Sequence, residues 1–260
     1  MDLKAQHFSV PAIAPDRHDS VPHVSRAGGD GVQRLGFDTA EQSRVWAVVD
    51  RRRRVLNVIV AAAGILLLMP LMVLIWIAIS LTSRGPILYR QERVGLDRRT
   101  SGNPVSRRDR RGQDRGGRTF TIYKFRTMST PHEHREQVWA QPSDPRVTPL
   151  GAVLRKYRLD ELPQLFNVLF GDMNVVGPRP EQPEIFRQLR PEVDRMTERQ
   201  QVLPGITGWA QVNQRYDRCL DDVRRKVGLD LEYIQRRSSW VDLRIMARTL
   251  PVMMKKWGGH

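Results

Sequence analysis

The chain has 260 residues, enough for one domain with appendages, and its 43 Lys+Arg against 28 Asp+Glu leave a formal net charge of +15. That excess calls for an anionic partner: nucleic acid, anionic lipid or a phosphorylated substrate. The single cysteine, Cys219, excludes an internal disulfide framework and fits a reducing compartment, and no Cys/His spacing resembles a zinc site.

Residues 1–42 are rich in Pro, Asp, Ser and Gly without an apolar period, and read as a disordered extension. Arg51–Arg54 follow, and then the 27 residues from Val55 to Leu81 carry no charge. As a straight helix this run reaches about 40 Å, against a bilayer core of about 30 Å. It is too long, and begins too far from Met1, for a signal peptide. Pro70 sits inside the run, cannot donate a hydrogen bond and crowds the Leu66 carbonyl, which predicts a kink or break. The flanking pieces of 15 and 11 residues are each too short to cross alone.

Two arrangements fit: one kinked spanning helix, or a re-entrant hairpin that enters and leaves on the same face. Charge favours the hairpin, because basic residues beside a membrane segment mark its cytoplasmic side. Here Arg51–Arg54 stand on one flank, and Arg84, Arg90, Arg93, Arg98 and Arg99 on the other. Residues 43–84 are therefore the basic flank and membrane helix, and 85–260 the domain that follows.

Residues 98–118 hold eight arginines and two aspartates, +6 of the +15. They predict a solvated loop attracted to anionic lipid headgroups. No aromatic is interleaved to stack on bases, so no nucleic-acid partner is expected. His132 and His134 lie in a polar stretch and read as a solvated turn. From Phe120 onward the pattern is that of a compact α-rich α+β domain. Residues 120–125 alternate like a strand, and Leu162–Phe170 reads as a buried helix. Near the end, Trp240, Leu243, Ala247, Leu250, Met254 and Trp257 fall on one helical stripe, with Arg244, Arg248, Lys255 and Lys256 off it. Such a helix either lies at a membrane interface or packs its stripe on the core. Pro251 predicts a kink in it.

Asp160-Glu161 lies between Arg155, Lys156 and Arg158 and the apolar 162–170 segment. Asp160 is placed to cap that helix, with Pro163 in its first turn. The same pair carries a chemical reading. A carboxylate held ionised among cations can attack a phosphorus atom and form an acyl phosphate. Attack on a diphosphate meets like-charge repulsion, so basic side chains, a divalent cation or both are needed. Glu161 beside it suits Mg²⁺, a hard ion that takes oxygen ligands. Further cations stand in Lys124-Phe125-Arg126-Thr127 and in Gly177-Pro178-Arg179-Pro180, where prolines stiffen the turn. Pro204–Trp209 is a glycine-rich bend with a hydroxyl.

In chain order these segments read GPILYRQERVG (85–95), FTIYKFRTM (120–128), DPRVTPLGAVLRK (144–156), LDELPQLFNVLFGDMNVVGPRP (159–180), PGITGWAQVN (204–213), DLEYI (230–234) and WVDLRIMARTL (240–250). The series resembles the bacterial sugar transferase family, the monotopic polyprenol-phosphate phosphoglycosyltransferases, over about residues 51–250. The resemblance implies a re-entrant helix broken at Pro70, with the active site on the cytoplasmic face of the bacterial inner membrane. It implies Mg²⁺, a UDP-sugar donor and undecaprenyl phosphate as the polyprenol acceptor. It implies a covalent aspartyl-phosphosugar on Asp160, with UMP released, at the start of exopolysaccharide or other glycoconjugate synthesis. Glu161 then supports the metal and the diphosphate, and Lys124, Arg126, Arg155 and Arg179 map to phosphate and nucleotide contacts. Departures from the family pattern are Met69 before the proline where Ser is common, Asn57 where Asp is usual, the 98–118 insert, and Gln214 and Arg236. A rival reading, a tethered basic scaffold without catalysis, needs neither carboxylate.

Overall fold

The computed structural model describes the backbone of residues 39–97, 117–129, 146–214, 217 and 219–254, and the side chains of these residues from Val48 to Val252. Residues 1–38, most of the arginine-rich insert, the His132–His134 turn, and Lys255, Lys256 and Trp257 lie outside this set.

Helix α1, Thr39–Thr82, takes in the whole uncharged run. Among the described residues it is the one helix long and apolar enough to cross a membrane. Pro70 lies inside α1, so the expected break does not separate two helices. The proline withholds one amide donor, and the helix resumes around it because the neighbouring turns keep theirs.

Strand β1, Leu88–Val94, pairs antiparallel with β2, Thr119–Phe125, from Leu88↔Phe125 to Val94↔Thr119. The arginine-rich insert is thus the connection of this hairpin, and it leaves from the Val94–Thr119 end. Helix α2, Pro149–Lys156, follows, capped by the Thr148 side chain on the Gly151 amide. A 3₁₀ turn at Leu159–Glu161 leads to α3, Gln164–Phe170, and strand β3, Asn174–Val176. After α4, Pro183–Glu192, and a 3₁₀ turn at Met196–Gln201, strand β4, Gly205–Thr207, pairs parallel with β3. The short α5, Trp209–Asn213, and the longer α6, Leu220–Arg236, and α7, Ser239–Met254, complete an α-rich α+β fold. Residues from Thr39 onward form one compact unit.

Both halves of α1 pack on this unit. Before the proline, Ala61 joins a core of Phe120, Ile122, Val168 and Met173. After it, Met72, Ile75 and Ile79 join Phe125 and Leu154. The opposite face stays open: Val55, Ile59, Leu66, Leu67, Leu74 and Leu81 are all exposed.

The entry of α1 into the unit is polar and buried. Arg53, 2% exposed, donates from Nε to Asp242 Oδ2 at 3.1 Å and from a terminal nitrogen to the Tyr233 hydroxyl. That hydroxyl lies 2.8 Å from Asp242 Oδ1 and 3.1 Å from the Val176 carbonyl. Asn57 donates to Asp242 Oδ2 at 3.1 Å and accepts the amides of Val175 and Val176. Its amide is what an aspartate at 57 would lack: a donor to face the Asp242 carboxylate. Arg54 closes the end of α3, donating to the Val168 and Met173 carbonyls. Two arginines of the basic run therefore serve the fold.

On α7 the inward face is Val241, Asp242, Ile245, Met246 and Thr249, whereas Trp240, Leu243, Ala247 and Leu250 are exposed. The described part of the apolar stripe thus faces away from the core.

The Asp242→Ala variant removes the buried carboxylate from Arg53 and leaves its guanidinium only the half-exposed Asp50 carboxylate, 3.0 Å away. Loss of one partner of a buried pair costs about 3–5 kcal/mol, and denaturation of detergent-solubilised protein, followed by tryptophan fluorescence, should show a loss of that size.

Candidate active site

Three segments converge on Asp160 and Glu161. The chain leaves α2 through Arg158, whose positive φ of 56° lets the Leu159–Glu161 turn bend back under the hairpin. Strand β2 supplies Lys124, with Nζ 2.9 Å from Glu161 Oε1. The loop after β3 supplies Arg179, which reaches Oε1 at 2.6 Å and Oε2 at 3.4 Å. Arg158 stands 3.6 Å from the same Oε1. Both carboxylates are nearly sealed from solvent, at 9% and 7% exposure.

The expectation that Asp160 caps the following helix is corrected. Pro163 occupies the cap position of α3 and no side chain bonds to its first amides, because the 3₁₀ turn places Asp160 one turn earlier. Among the described residues, no hydrogen bond or ion pair holds the Asp160 carboxylate, whereas Glu161 gathers all three cations. Burial, and then the charge of Glu161, push the Asp160 carboxyl up. Burial opposes ionisation of Glu161 too, but Arg179, Lys124 and Arg158 outweigh it and hold that carboxyl well below the usual range. Burial, and then the nearby Arg179 charge, act against the Lys124 ammonium, whose pKa is lowered despite Glu161 beside it. The asymmetry separates the pair chemically: Glu161 is a fixed charge, and Asp160 keeps its lone pairs open.

Of the cations singled out in the sequence, Lys124 and Arg179 meet at the pair. Arg126 instead closes the end of α1, donating to the Ser83 and Arg84 carbonyls at 2.8 Å each and to the Ser83 hydroxyl. Arg155 donates from Nε to the Thr127 hydroxyl at 2.8 Å and ties α2 to the strand end. Arg158 belongs to the site as well, and its place next to the Asp-Glu pair in sequence was the available signal. Arg93, Arg199 and Glu181, which surround the Arg179 loop, carry no such signal, since their partners are distant in sequence.

The Arg179 loop is seated by close backbone approach. A Cβ built on Gly205 would stand 2.1 Å from the Gly177 amide nitrogen and 2.6 Å from its carbonyl oxygen, so β4 can lie against the loop only as glycine. Glu181, two residues past Arg179, accepts from Lys226 at 2.7 Å and from Arg199 at 3.4 Å.

Residues 48–256 match the family described as bacterial sugar transferase. This chain belongs to that family. Relatives within it include a UDP-N-acetylgalactosamine-undecaprenyl-phosphate N-acetylgalactosaminephosphotransferase of Aeromonas hydrophila, 39% identical over 94% of this chain and 54% of its own length. A UDP-glucose:undecaprenyl-phosphate glucose-1-phosphate transferase of Caulobacter vibrioides is 39% identical over 79% of this chain and 71% of its own. An Escherichia coli protein of the same description is 36% identical over 76% of this chain and 39% of its own. The chain thus spans about half the length of the Aeromonas relative and less of the Escherichia one. Every segment that forms the site lies within the family match.

Although burial acts against it, Lys226 and then Arg199 bring the Glu181 carboxyl down to about 2. A carboxyl lowered on folding stabilises above its unfolded value and loses that contribution as pH falls toward the folded one. Wild-type protein should therefore lose more stability between about pH 4.5 and pH 2 than Glu181→Gln does. Denaturation midpoints of the two proteins across that window measure the difference.

Proposed function

We propose that this chain transfers a sugar 1-phosphate from a UDP-sugar to undecaprenyl phosphate through a covalent aspartyl-phosphosugar on Asp160. The observation that carries the reading is the buried carboxylate of Asp160, which no side chain bonds among the described residues, beside a Glu161 whose charge three cations hold in place. An Asp160 oxygen attacks the phosphorus that bears the sugar. The bond to the bridging oxygen breaks and UMP departs. An oxygen of the acceptor phosphate then attacks the same phosphorus, frees the Asp160 carboxylate and yields the polyprenyl diphosphate sugar. Lys124, Arg158 and Arg179 against two carboxylates leave one positive charge around the site, which favours an incoming diphosphate.

Mg²⁺ fits this donor set. Asp160 has no competing partner among the described residues, and Glu161 Oε2 carries only the 3.4 Å contact to Arg179, so two hard oxygen donors are available. When bound, such an ion neutralises charge that develops on the phosphates. Relatives are named for N-acetylgalactosamine and for glucose, so the donor is a UDP-sugar of a kind their names do not fix.

The membrane reading rests on how α1 is gripped. Arg53, just before the uncharged run of α1, is bonded to Asp242, and the Ser83 and Arg84 carbonyls just past its other end are bonded to Arg126. Both partners belong to one compact unit, which cannot stand on both sides of an apolar core about 30 Å thick. This supports an anchor that enters and leaves on the cytoplasmic face of the inner membrane. The exposed faces of α1 and α7, the latter flanked by Arg244 and Arg248, support contact with anionic lipid. The same position suits an enzyme that begins exopolysaccharide or other glycoconjugate synthesis on a lipid carrier.

Two measurements test these readings. Mixed with Mg²⁺ and the cognate donor alone, wild-type protein should gain the mass of one sugar phosphate while releasing UMP, and Asp160→Asn should do neither. Turnover of Asp160→Asn at the wild-type rate would remove the covalent step and leave direct attack by the lipid phosphate. For topology, single cysteines at Ser43 and Thr82, in a Cys219→Ala background, should both resist a membrane-impermeant thiol reagent outside intact cells. Labelling of only one of them establishes a spanning helix.

A further inference from the structure

The segment Pro178–Glu181 cannot knit itself together, because two of its four residues lack an amide hydrogen. All four of its backbone carbonyls accept hydrogen bonds. The Gly205 amide donates to Pro178 O at 2.9 Å, and the Val94 amide to Glu181 O at 2.9 Å. Between these, the Arg199 guanidinium donates to Arg179 O at 3.0 Å, and Arg93 donates to Pro180 O at 3.1 Å. The residue whose side chain holds Glu161 therefore has its own backbone held by a second arginine.

Arg199 is built for one orientation. It is 5% exposed, and its Nε donates to Asp230 Oδ2 on α6 at 2.7 Å. A terminal nitrogen reaches Glu181 Oε1 at 3.4 Å, and Glu181 is fixed in turn by Lys226, also on α6. One planar guanidinium thus joins α6, the Glu181 carboxylate and the Arg179 carbonyl. Lysine has the charge but not the three-way fork. The chain of contacts runs from Asp230 through Arg199 to the Arg179 backbone, and from the Arg179 guanidinium to Glu161.

We propose that Arg199 is a positioning residue for the transferase reaction, which aims Arg179 at Glu161 by clamping the Arg179 carbonyl against α6. Its kinetic consequences rest on the functional reading above; its structural consequence does not. The clamp acts on the site through Arg179 alone, so its effect on turnover disappears when the Arg179 side chain is absent. A role confined to global stability would persist there.

Arg199→Met leaves Asp230 buried and unpaired and risks unfolding, so Arg199→Lys is the decisive variant. It should keep the cooperative thermal transition and lower kcat for UMP release by between about 10- and 100-fold, the range that a small misplacement of site groups produces. The KM for donor should move less. Adding Arg199→Lys to Arg179→Ala should cause no further loss of kcat. Additive losses in that cycle, or an unchanged kcat in the single variant, overturn the proposal. Hydrogen exchange on ligand-free protein decides the clamp without turnover. Arg199→Lys should speed exchange of the Gly177, Gly205 and Val94 amides, which lie in or bond to this loop, and leave α2 and α3 at wild-type rates. No change there, or a uniform rise across the domain, also overturns it. Should wild-type protein release no UMP from any donor, the transferase reading fails, and the exchange comparison still judges the clamp.

Discussion

A carboxylate taken out of water stays charged only where cations replace the lost solvation, and Glu161 is such a group. Much of the site's geometry follows from that requirement. Lys124 must come from the hairpin, Arg158 from the turn before the pair, and Arg179 from the loop after β3, because no single element offers three cations around one oxygen. Removing several kcal/mol of solvation from one ion is tolerable with three partners and excellent hydrogen-bond geometry. What remains is the neighbour. Asp160 shares the burial but not the partners, so the pair is split into a charge that organises and a carboxylate that stays open to react.

The same rule governs the other end of the molecule. Asp242 lies fully buried in α7, and Arg53, Asn57 and Tyr233 answer it from α1 and α6. The contact sets the register at which the long apolar helix meets the rest of the unit. Arg126 closes the far end on backbone carbonyls. Between these two polar fastenings α1 is free to be apolar on its outer face. The excess of arginine thus divides into two uses. Arg53, Arg54, Arg126 and Arg199 are spent inside the protein, and a net charge alone does not tell them from residues that face a partner.

Several features were legible before any coordinates. The uncharged run became α1, the alternation at 120–125 became β2, and the 162–170 segment became a short helix with its start moved to Gln164. These three readings rest on local information: period, charge and residue type within one window. That Lys124 and Arg179 serve the site of Asp160-Glu161 was implied only by the family resemblance, and both reach Glu161.

The rest depended on contacts across the sequence. Lys124 and Arg126, two apart on a strand, look equivalent, yet one reaches Glu161 and the other ends α1, because the strand stops at Phe125 and the chain turns. Asp160 looked like a helix cap until the left-handed Arg158 and the 3₁₀ turn moved the helix start beyond it. The α7 stripe fitted either the core or an interface, and only packing with α1, α5 and β3 turned Val241, Ile245 and Met246 inward and Trp240 and Leu250 outward. Sequence by itself determined which residues carry charge, which segments are apolar, and that a carboxylate pair and several cations recur in a family pattern. Tertiary structure alone decided which cation serves which carboxylate, because a buried charge is satisfied by whatever the fold brings within about 3 Å, at any separation along the chain.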